Sequence, residues 1–144
     1  MAESTSKGVS RIKNEKSIQE FFADHPVEQQ LYAAALTRIG SMIPGTEVQV
    51  QKTQIAFKKQ RAFCWIWLPI RPGIKGRPAH YIILTFPYKE RICADRIVEA
   101  VEAHPGQWTH HVIIGRAEEL DEELLSWIRR ADQWRNNPNH QEPA

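Results

Sequence analysis

The stretch VQKTQIAFKKQRAFCWIWLP, Val50 to Pro69, decides the fold. Ile55 and Phe57 alternate with polar or small neighbours, and Phe63, Trp65 and Trp67 alternate with Ala62, Cys64, Ile66 and Leu68, the period of two that defines β-strands. The second run is apolar on both faces, which predicts a central strand. Lys58-Lys59-Gln60-Arg61 between the runs reads as a hairpin turn whose charges also discourage edge-to-edge association.

Working outward, Val48 and Val50 extend the alternation upstream, and Tyr81 to Phe86 supplies a further strand. Between them Arg71-Pro72-Gly73-Ile74-Lys75-Gly76-Arg77-Pro78 is a loop by composition. Ile97 to Ala103 is helical by residue preference. The turn His104-Pro105-Gly106-Gln107 and the strand-like Trp108 to Ile114 nevertheless favour a hairpin. On the N-terminal side, Ser17 and Glu20 have capping-box spacing and open a short helix through Phe22. Val27, Leu31, Ala34, Ala35, Ile39 and Met42 keep helical spacing, with Asp24 or His25 as cap and Pro44-Gly45 as stop. Ala117 to Trp134 predicts an amphipathic helix whose first turns carry Glu118, Glu119, Asp121, Glu122 and Glu123, the favourable sign for the helix dipole.

These segments predict an α+β fold in a single domain over residues 16–135, with residues 1–15 and 136–144 as flexible tails. N-terminal helices precede an antiparallel sheet of five or six strands, and the C-terminal amphipathic helix packs on the sheet. A chain of 144 residues buries enough surface to fold without metal or disulfide staples. The opening residues lack the apolar core of a signal peptide and no stretch is long enough to span a bilayer, so a soluble, cytoplasmic protein without membrane attachment is expected. Two cysteines in such a chain make a disulfide framework improbable.

The net charge of +2 is unevenly distributed. Residues 1–50 carry five cations and six anions, residues 51–96 ten and two, and residues 97–144 four and nine. This basic middle block reads in two ways. Lys and Arg cover an exposed sheet face that the acidic last helix answers electrostatically, or Lys58, Lys59, Arg61, Arg71, Lys75 and Arg77 form a nucleic-acid surface with the neighbouring aromatics as stacking platforms.

The order of motifs resembles a family of small, mostly bacterial domains known as domain of unknown function 5655. The resemblance is carried by FFADHP, by the Val50–Pro69 stretch and by WTHHVIIGRAEELDEELLSWIRRA, and spans roughly residues 20–134. It implies a compact cytosolic domain, sometimes found beside nuclease-like domains in longer proteins, with no established catalytic residues.

His110 and His111 invite a metal reading. Adjacent strand residues point to opposite faces, so the pair does not chelate one ion, and no metal or other cofactor is expected. One histidine should share a face with Trp108 and Val112, hydrogen-bonded under the sheet. Lys52-Thr53-Gln54 interrupts two strand runs. It reads either as a kink satisfied by its own side chains or as part of a polar-ligand site with Lys52 as point charge, Gln54 as donor and acceptor, and Trp65 and His110 completing it. Phosphate loops, nucleophile elbows and zinc-protease motifs are absent from the sequence. An enzyme would need folding to bring His110 to Lys52. The leading expectation is a binding or interaction module for a protein or a small polar or anionic ligand.

Overall fold

The computed structural model describes residues 9–12, 15–69 and 75–136. Its centre is a seven-stranded sheet in the order β1-β2-β3-β4-β5-β7-β6. The strands are β1 (Val9–Ile12), β2 (Thr46–Val50), β3 (Gln54–Lys58), β4 (Ala62–Trp67), β5 (Ile82–Tyr88), β6 (Ile97–His104) and β7 (Gln107–Ile114). From β2 onward every neighbouring pair is antiparallel, which gives six strands where five or six are expected. The seventh is β1, a segment that the sequence reading assigns to a tail and that instead pairs in parallel with β2.

Helices α1 (Glu15–Phe21), α2 (Pro26–Met42) and α3 (Glu122–Asn136) complete the domain. Ser17 lies inside α1 rather than capping it. Pro26 opens α2, where its missing N–H goes unneeded, and His25 precedes it without a side-chain cap bond. The helix ends at Met42, followed by Gly45 at φ +88°, a left-handed turn that glycine adopts without strain. At the other end, the helix expected from Ala117 begins five residues later. Glu119 Oε1 accepts the Gly115 and Arg116 N–H groups at 2.7 and 3.2 Å, folding residues Ala117–Glu119 into a 3₁₀ turn. Asp121 Oδ1 then accepts the Leu124 N–H at 3.1 Å and caps α3.

Both long helices lie on one face of the sheet. Tyr32 of α2 packs on Phe57 with ring centroids 6.2 Å apart, and Trp127 of α3 stacks on Phe86 at 5.9 Å. The strand register places Val48, Phe57 and Cys64 in one row and Ile55, Ile66, Leu84 and Val112 in the next, all on that face. Together with Ile39, Leu124 and Ile128 they form the solvent-excluded core. The central strands are therefore closed by helices on one side only, among the described residues.

Candidate functional site on the open sheet face

The side chains that alternate with the core rows define the second face. Across it, Ala56 of β3, Trp65 of β4, Thr85 of β5, His111 of β7 and Glu99 of β6 stand directly opposite one another in register. The next row is Gln54, Trp67, Ile83 and Ile113. Trp65, Trp67, Ile83 and Ile113 are half-buried, whereas Ile66, Ile82 and Ile114 beside them in sequence are inaccessible to solvent. That contrast marks an apolar, aromatic surface shielded mainly by its own side chains.

In the polar part of this face, Thr85 Oγ1 and His111 Nδ1 lie 2.8 Å apart. Burial holds the His111 ring below its ordinary pKa of 6.5, although Glu99 pulls in the opposite direction. A hydroxyl, an imidazole and a carboxylate thus stand in one row, but Thr85 is only 2% exposed and lies in mid-strand. Its backbone neighbours are engaged in the sheet ladder, which leaves neither approach for a substrate carbonyl nor a free pair of N–H donors for an oxyanion. The row is a polar floor, not a nucleophilic triad.

Where this face meets the β4–β5 connection, Trp67, Leu68, Arg77, Ile83, Val98, Glu99, His111 and Ile113 line an open cavity of about 190 Å³. Trp67 Nε1 is buried and has no hydrogen-bond acceptor among the described residues. Arg77 Nη1 donates to Tyr81 Oη at 3.3 Å and its guanidinium sits 5.8 Å from the Tyr81 ring.

The four residues proposed for a ligand site do not converge. Trp65 and Gln54 lie on the open face and Lys52 is exposed in the two-residue turn that follows Gln51. That turn closes on itself, with the Gln51 N–H donating to the Gln54 carbonyl at 2.8 Å and Gln54 Nε2 to Gln51 Oε1 at 2.5 Å. His110 faces the core with Trp108 and Val112 and is inaccessible to solvent. Its ring stacks on Phe86 at 4.7 Å, its Nε2 accepts the Ile92 N–H at 2.9 Å, and its Nδ1–H donates to the Phe86 carbonyl at 3.3 Å. The strand alternation that separates His110 from His111 also separates His110 from Trp65. His111, which the expected ligand site leaves out in favour of His110, is the histidine on the open face.

The basic residues are also divided. Lys58, Lys59 and Arg61 sit at the β3–β4 turn, whereas Lys52, Lys75 and Arg77 belong to connections at the other end of the same strands. Six residues of β4 separate the two groups, roughly 20 Å at the rise of a strand. Arg71 lies outside the described residues. The first group is docked on α3: Lys59 Nζ is 3.6 Å from Asp132 Oδ2, and Asn136 exchanges two hydrogen bonds with the Arg61 backbone, at 2.7 and 3.0 Å.

Fold and site together define a single-domain α+β protein with one open, aromatic sheet face. The chain belongs to the family described as domain of unknown function (DUF5655), whose sequence pattern matches residues 18–133. No curated protein and no solved structure matches it. No helix among the described residues is long and apolar enough to cross a membrane, and no cluster of three His, Cys, Asp or Glu among them is placed to hold a metal ion.

Proposed function

We propose that the protein is a binding module that holds a small ligand on the open sheet face, around Trp65, Trp67, Ile83, His111 and Ile113. One observation carries the reading: on the face away from the helices, two tryptophans and two isoleucines remain half-exposed beside a cavity. Sites of this kind combine apolar walls with a few fixed polar groups. His111, Glu99 and Arg77 supply those groups here, with Thr85 holding the His111 ring from beneath. The division of the cations between two ends of the sheet favours a small ligand over a nucleic-acid strand, which needs a continuous basic track.

The test is a thermal-shift panel of nucleotides, organic anions, neutral aromatic compounds and short oligonucleotides, read beside Trp65→Ala. A ligand that binds only the folded state raises the melting temperature by mass action. The expected result is a shift with a small compound that Trp65→Ala reduces. A shift confined to oligonucleotides and abolished by salt would replace this reading with the nucleic-acid one. A small-compound shift unchanged by Trp65→Ala would place the ligand elsewhere.

A further inference from the structure

We propose that the cavity beside Trp67 and Arg77 recognises a single-ring apolar carboxylate; this rests on the reading of the open face as a ligand surface and names the chemistry of its ligand. Leu68, Ile83, Val98 and Ile113 give the cavity an apolar lining. Its volume of about 190 Å³ equals that of about six liquid waters, which suits one ring. The polar groups around it are unequal in kind. Trp67 Nε1–H is a buried donor without an acceptor among the described residues. Arg77 brings further donors and a fixed charge. Among the described residues its guanidinium has Tyr81 as hydrogen-bond partner and no carboxylate within ion-pair distance.

A guanidinium beside apolar walls asks for an acceptor-rich anion, and a carboxylate matches it in a planar two-point contact. An inorganic anion would satisfy the charge and leave the apolar lining in contact with water. A neutral hydrocarbon ring would fill the lining and leave the Arg77 charge unanswered. Glu99, on the His111 side of the cavity, disfavours a second negative charge on the ligand, so a monocarboxylate is selected over a dicarboxylate. The same chemistry comes from a free aromatic acid or from the C-terminal residue of a peptide.

The experiment is a calorimetric titration of the full chain with phenylacetate, its neutral analogue phenylacetamide, and acetyl-Gly-Gly-Phe, repeated on Arg77→Gln and Trp67→Phe. The expected result is saturable phenylacetate or peptide binding with Kd below about 1 mM, weakened about tenfold or more by Arg77→Gln and absent or similarly weakened for the amide. Preference for phenylacetate assigns a free acid, and preference for the peptide assigns a chain end. Equal binding of acid and amide, binding indifferent to both substitutions, or no binding of either acid overturns the proposal. Amide-proton NMR with indole and benzamide separates this failure from that of the broader reading. Perturbation of Trp65, Ile83 and Ile113 by those neutral rings keeps the open face as a ligand surface, and silence there removes both.

Discussion

His110 and His111 show how one residue of offset sets the role of a side chain. The chain between β5 and β6 must pass β7, because β7 lies between those two strands in the sheet. His110 meets that crossing segment by accepting the Ile92 N–H, and its second nitrogen is fixed by the Phe86 carbonyl. Removing the ring leaves the part-buried Ile92 N–H without its acceptor and opens a hole against Phe86. His110→Ala is expected to lower stability by about 3 kcal/mol, against about 1 kcal/mol or less for His111→Ala. Urea denaturation checks the pair, and equal losses would contradict the assigned roles. Both rings also contribute to pH dependence. Burial lowers each native pKa below 6.5, for His110 with help from His111 and Arg91 and against the Phe86 hydrogen bond. Between the lowered value and 6.5 the unfolded chain binds more protons, so stability rises with pH through that window and levels off above it. Denaturation between about pH 5 and about pH 7.5 should show that slope, diminished in His110→Ala.

At the scale of elements, α3 is held at both ends by bonds made to other parts of the chain. Arg96 Nη1 reaches Asp121 at 2.8 and 3.0 Å and Glu123 at 3.0 Å, and its Nη2 donates to the Glu119 carbonyl at 2.6 Å. These exposed ion pairs contribute little singly. The cap itself matters more: the Leu124 N–H first, with Arg96 after it, holds the Asp121 carboxyl below the usual carboxylate range. Asp121→Ala should therefore cost about 1 kcal/mol, with Asp121→Ser recovering much of it. A loss undiminished in the serine variant would assign the effect to Arg96 instead. Elements also mark where sequence reading succeeded and stopped. The alternation in β3 and β4, the glycine turn at Gly106 and the stop after Met42 are local signals, and each is legible because the interaction that decides it lies within a few residues. β1 is four residues long and exists through pairing with β2 more than thirty residues away, so its own sequence carries little signal. The start of α3 escaped for a related reason. Glu118 and Glu119 suit a helix by charge, but Glu119 turns back to the Gly115 and Arg116 N–H groups.

For the whole molecule the undecided question was which side of a two-faced apolar strand the helices would cover. Ala62 to Trp67 offers large side chains in both directions, and no local pattern distinguishes a core face from an open one. The decision comes from α2 and α3 together: Tyr32 and Trp127 meet Phe57 and Phe86, and the opposite rows are left to Trp65 and Trp67. Adjacent isoleucines at the end of β7 test that asymmetry. Ile114 is fully buried in the helix-covered core, whereas Ile113 is half-buried on the open face and lines the cavity. A lysine at Ile114 has no route to solvent and should cost about 4 kcal/mol or more, enough to unfold a domain of ordinary stability at moderate urea. Ile113→Lys can lay its stem along the apolar rows and lift its ammonium into water, at a cost of about 1 kcal/mol. The Ile113 variant should stay folded by circular dichroism while its altered cavity changes ligand response. If both lysines unfold the protein alike, the second face is as closed as the first and the binding surface described above does not exist.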